Sequence, residues 1–66
     1  MNITLNGEPH KLADGATAQQ LIEQLNLVGK RLAMEVNQEI VPRSTFAEHP
    51  LQPDDHVEIV HAIGGG

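Results

Sequence analysis

Residues 1–25 read MNITL-NG-EPHKL-ADGA-TAQQLIEQL, and this stretch decides the fold. Met1, Ile3 and Leu5 alternate with Asn2, Thr4 and Asn6, the period of a strand with one buried face. Asn6-Gly7 supplies two residues that accept positive φ, so a tight hairpin turn follows. With those two residues as the loop, Leu5 faces Glu8, Ile3 faces His10 and Met1 faces Leu12. That register keeps Leu12 on the apolar face and Lys11 outside, whereas a one-residue slip would turn Lys11 inward. Pro9 has no N–H to donate, which suits an edge strand. Asp14-Gly15 then breaks the strand. Thr17 stands three residues before Gln20, the spacing of a capping box. Ala18, Leu21, Ile22 and Leu25 follow at helical spacing and form one apolar stripe. Gly29 is expected to stop this helix.

Leu32, Met34 and Val36 alternate with Ala33, Glu35 and Asn37, which predicts a third strand. Asn37-Gln38-Glu39 is expected to turn, Ile40-Val41 to begin a short fourth strand, and Pro42 to end it. Ser44 to His49 reads as a short helical turn with Phe46 inward. Pro50, Pro53, Asp54 and Asp55 form a rigid turn region. Val57, Ile59 and His61 alternate with Glu58, Val60 and Ala62 in a last strand, entered at His56. Strand, hairpin, helix, strand, strand is an α+β pattern, one sheet expected to be mixed and four- to five-stranded, with one main helix packed across one face.

The chain has 66 residues, room for one domain, and about 60% of its surface can be buried. So thin a core argues against the deep dry cleft that most enzymes use. Nine acids against four bases give a formal charge of -5, and Phe46 is the single aromatic. A nucleic-acid partner is therefore not expected: there is no basic excess for phosphates and no stacking platform for bases. The sequence has no cysteine, hence no disulfide and no thiol nucleophile. A reducing cytoplasm is the expected location, since the N-terminal residues lack a signal peptide's basic start and long apolar run. No apolar run is long enough to span a membrane.

After the last strand come Ile63-Gly64-Gly65-Gly66. The reading is one domain over 1–63 and a flexible tail over 64–66. Glycines maximise backbone freedom and minimise width, so such a tail can thread a slot where any Cβ would clash. It presents one reactive group, the carboxylate of Gly66.

A compact α+β domain with this ending resembles the ubiquitin-like β-grasp carriers and, more narrowly, the ThiS family of sulfur carriers. The residues that carry the likeness are the Asn6-Gly7 hairpin, DGATAQQLIEQLNL, VNQEIVPR from Val36 to Arg43, and HVEIVHAIGGG at the end. It covers the whole chain. Two departures stand out: Pro53-Asp54-Asp55 where a Gly-Asp pair is expected, and three glycines where two are the minimum. The resemblance implies that a ThiF-type (E1-like) adenylyltransferase uses ATP and Mg²⁺ to adenylate the Gly66 carboxylate. A persulfide donor then supplies sulfur, and the resulting thiocarboxylate is consumed by a ThiG-type thiazole synthase in thiamine thiazole formation. On this reading the chain is a carrier substrate and not an enzyme, and it binds no cofactor itself. It has no phosphate-cradling glycine loop between strand and helix.

Docking would hold the domain while Gly64 and Gly65 thread the partner. Val60 and Ala62, with Ile63 following, are the candidate apolar contact. Glu35 and Glu58 are expected to flank it, and Arg43 either pairs with the partner or caps the short strand. Three rivals share the fold: a molybdopterin-synthase-type sulfur carrier, a ubiquitin-like protein modifier and a non-catalytic β-grasp binding module. His10, His49, His56 and His61 have no metal-ligand spacing, so structural roles are expected, with His10 and His61 half-buried on inner faces.

Overall fold

The structure, a computed structural model, describes residues 1–61. Its elements are β1 (Asn2–Leu5), β2 (Glu8–Lys11), α1 (Ala18–Gln24), β3 (Leu32–Val36), β4 (Glu39–Val41), a 3-10 helix (Arg43–Glu48) and β5 (His56–His61).

The hairpin closes in the expected register, with Ile3 opposite His10 and Leu5 opposite Glu8. Asn6 (φ 50) and Gly7 (φ 85) are both left-handed, as a two-residue turn matched to strand twist requires. Leu12 is buried and Lys11 exposed. The capping box is formed in full: the Gln20 N–H donates to Thr17 Oγ1 at 3.2 Å, and the Thr17 N–H donates to Gln20 Oε1 at 2.8 Å.

The helix ends earlier than Gly29. Asn26 takes the left-handed position (φ 59), its N–H donating to the Glu23 carbonyl at 3.1 Å. The Leu27 N–H donates to the Ile22 carbonyl at 3.0 Å, completing a Schellman motif. Asparagine tolerates this conformation, and stopping here returns Leu27 to the core. Gly29 (φ 82) serves the following turn instead.

The five strands lie in the order β2-β1-β5-β3-β4. β5 is central, parallel to β1 and antiparallel to β3. The two hairpin turns fasten it from either side. Asn6 Oδ1 accepts from the Ile59 N–H at 2.9 Å, and Asn37 Oδ1 accepts from the His56 N–H at 2.9 Å. The β3–β4 turn is tighter than expected: Asn37 (φ 53) and Gln38 (φ 72) form it alone, and Glu39 already pairs with Val36.

One face of the sheet packs on α1 and the 3-10 helix. Leu21, Met34, Leu51 and Val57 are fully buried, with Ile3, Ile22, Phe46 and Ile59 around them. Leu51 is drawn in by its N–H bond to the Ala16 carbonyl at 2.8 Å. Asp54 (φ 68) holds the left-handed turn position where glycine was expected. Asp55 beside it is buried, its carboxylate accepting from Asn37 Nδ2 at 3.0 Å and the Gln52 N–H at 2.8 Å. Those bonds meet the requirement that a buried charge be hydrogen-bonded.

Candidate functional site

Strand alternation sends every second residue of the sheet away from the helix. On β3 these are Ala33 and Glu35, on β4 Ile40, and on β5 Glu58 and Val60. The register sets Ala33 opposite Val60, Glu35 opposite Glu58, and Ile40 opposite Glu35. Val60 and Ile40 are 60% and 71% exposed, as is Val28 (61%) away from this face. The result is an outer face on which Ile40, Ala33 and Val60 lie to one side of two carboxylates, with Asn37 and His56 on the other. Like charges directly opposite each other on a sheet cost some stability.

Three of the anticipated contact residues, Glu35, Glu58 and Val60, are therefore brought together. Ile40 joins them and was not anticipated. Its signal was the burial of neighbouring Val41, which forces Ile40 outward. Arg43 is not part of this face. It opens the 3-10 helix, and its Nη2 donates to the carbonyl of Lys30, tying that helix to the loop before β3. Ala62, Ile63, Gly64, Gly65 and Gly66 lie outside the described residues.

The histidines are scattered. His10 is half-buried, and its Nε2 lies 2.6 Å from Gln24 Oε1, so it bridges β2 to α1. His61 is exposed, contrary to expectation. It sits at the end of β5, past the buried Val57 and Ile59, opposite a Leu32 that is itself only partly buried. Among the described residues no cluster of three or more His, Cys, Asp or Glu side chains could hold a metal ion. No helix there is long and apolar enough to cross a membrane.

What the geometry offers is an outer sheet face that carries Ile40, Val60, Glu35 and Glu58, with β5 as the central strand. A family profile for ThiS matches residues 3–66. The chain belongs to the ThiS family. This is a family of sulfur carrier proteins in thiamine biosynthesis. The sulfur carrier protein ThiS of Escherichia coli K12 is 36% identical over 66 residues, with both chains covered completely. The crystal structure of the thiamine biosynthesis protein ThiS from Geobacter metallireducens superimposes with a TM-score of 0.86 at 29% identity, again over the whole of both chains. The β-grasp fold expected of a ThiS chain is therefore the fold observed. A thiazole synthase of Magnetococcus marinus is 44% identical over 66 residues, but this chain spans only 20% of that protein's length. A second, from Paramagnetospirillum magneticum, is likewise matched over 20% of its length.

Proposed function

We propose that this chain carries sulfur for thiazole formation as a thiocarboxylate on Gly66. The observation that carries this reading is the Gly64-Gly65-Gly66 ending in a chain that aligns with the Escherichia coli sulfur carrier over the full length of both. A carboxylate is a poor electrophile. A ThiF-type adenylyltransferase, using ATP and Mg²⁺, converts it to an acyl adenylate and releases pyrophosphate. The outer sulfur of a persulfide donor displaces AMP, and a thiol then cleaves the S–S bond, leaving one sulfur on the Gly66 carbonyl. The chain has no cysteine, so no thiol of its own competes for the sulfur. It is acted upon and does not catalyse. The cofactors belong to the adenylyltransferase.

The recipient is a ThiG-type thiazole synthase. Support comes from two thiazole synthases in which a domain like this one occupies a fifth of a longer protein. In this reading Val60, Ile40 and Ala33 give the partner an apolar contact, Glu35 and Glu58 orient it, and Gly64 and Gly65 thread its channel. The cysteine-free composition suits the reducing cytoplasm where such a relay would run.

Intact-protein mass spectrometry tests this. The chain is incubated with the adenylyltransferase, ATP and a persulfide donor. Exchange of one oxygen for one sulfur, mapped to Gly66, is expected. An unmodified mass, under conditions where the Escherichia coli carrier is converted, would overturn the reading. A lysine isopeptide would assign the chain to protein modification instead.

A further inference from the structure

Asn6 and Asn37 open the two hairpin turns, and the sheet uses them alike. Both are left-handed, at φ 50 and φ 53. The Asn6 N–H donates to the Val57 carbonyl at 2.9 Å, and its Oδ1 accepts from the Ile59 N–H at 2.9 Å. The Asn37 N–H donates to the His56 carbonyl at 2.7 Å, and its Oδ1 accepts from the His56 N–H at 2.9 Å. Glycine would meet the same φ with less strain, but it has no such oxygen.

The two differ in which end of β5 they hold. Asn37 holds the entry at His56. Asn6 acts toward the exit, where support for the strand is running out. The ladder with β1 stops at Leu5 opposite Val57. Among the described residues, Val60 and His61 are paired on the β3 side alone, with Ala33 and Leu32. The Asn6 side chain therefore extends the β1 side of the ladder by one step, to Ile59. Gly66 lies seven residues further on, a reach of up to about 25 Å. Any swing of the strand at Ile59 is multiplied over that reach.

We propose that Asn6 is a positioning residue for the carrier chemistry. Its side-chain oxygen fixes the end of β5 from which residues 62–66 set out, so that less freedom is left to remove when Gly66 is bound for adenylation. This rests on the carrier reading above.

The test uses the full chain with Asn6→Gly, Asn6→Asp and Asn37→Gly. Glycine keeps the left-handed turn and removes the acceptor, whereas aspartate keeps both. Amide exchange on the isotope-labelled chain reads each tie, and thermal melts confirm that each variant folds. Conversion by the purified ThiF-type adenylyltransferase, with ATP and a persulfide donor, gives kcat and KM. Asn6→Gly is expected to speed exchange at Ile59 about three- to tenfold, the factor that one hydrogen bond is worth. KM should rise by a similar factor with kcat within about twofold, because ordering the strand end is then deferred to binding. Asn6→Asp should hold both values near wild type. Asn37→Gly should speed exchange at His56 and leave KM unchanged. Unchanged exchange at Ile59 or unchanged KM in Asn6→Gly would overturn the role while the carrier function stands. An equal rise of KM in Asn37→Gly, or Asn6→Asp as impaired as Asn6→Gly, would do the same. If wild type is not converted where the Escherichia coli carrier is, the carrier reading fails and this role with it.

Discussion

Gln38→Gly should stabilise the protein. Gln38 is the second residue of the β3–β4 turn, at φ 72, a conformation that costs a residue with a Cβ about 1–2 kcal/mol. Its side chain is exposed and makes no hydrogen bond among the described residues, so its removal forfeits none. Glycine relieves the strain but gives the unfolded chain more freedom, returning about 0.5–1 kcal/mol. The net gain is about 0.5–1 kcal/mol, which in a domain of this size raises Tm by about 2–8 °C. The mirror experiment is Gly7→Ala in the other hairpin. Gly7 has φ +85, and an added Cβ would meet nothing within 4 Å, so its cost is purely conformational. Tm should fall by a similar amount. With no tryptophan or tyrosine, thermal unfolding is best followed by far-ultraviolet circular dichroism. A lower Tm for Gln38→Gly, or an unchanged one for Gly7→Ala, would refute the argument from left-handed turn geometry.

Leu21→Ala empties a fully buried position on α1 and should cost about 2–5 kcal/mol, read as a lower urea midpoint; an unchanged midpoint would mean the helix presents another face to the sheet. Asn37→Ala removes the side-chain bonds to Asp55 and the His56 N–H and should cost about 2–4 kcal/mol. A double-mutant cycle with Asp55→Ala should give a coupling of about 0.5–3 kcal/mol, and simple additivity would refute the bridge. Gly65→Val should block adenylation while leaving Tm unchanged, because the buried core of the described residues lies within Ile3–Ile59; normal activation would refute threading through a narrow channel.

The fold was legible wherever a local rule acted on adjacent residues. Thr17 and Gln20 announced the helix start, Asn6-Gly7 fixed the first hairpin's register, and alternation from Leu32 to Val36 gave a strand with Met34 inside. Misreadings arose where two residues could do the same job. Asn26 and Gly29 both accept a left-handed conformation, and the need to return Leu27 to the core chose Asn26. Glu39 looked like turn because Gln38 is an unfavourable partner for a two-residue loop. His61 shares its side of the strand with Val57 and Ile59, but periodicity does not say how far the helix extends over a strand's end.

By itself the sequence determined which segments are strands and helix, which side of each is apolar, that no thiol is present, and that residues 64–66 are three glycines. These follow from composition and near-neighbour geometry. Tertiary structure alone decided that β5 runs between β1 and β3. Pairing between strands 21 to 52 residues apart depends on which arrangement buries the most apolar surface, and no local motif encodes that. From this one placement come the outer face that Ile40, Glu35, Glu58 and Val60 share and the position of Leu32, with Lys30 and Arg31 before it, beside His61.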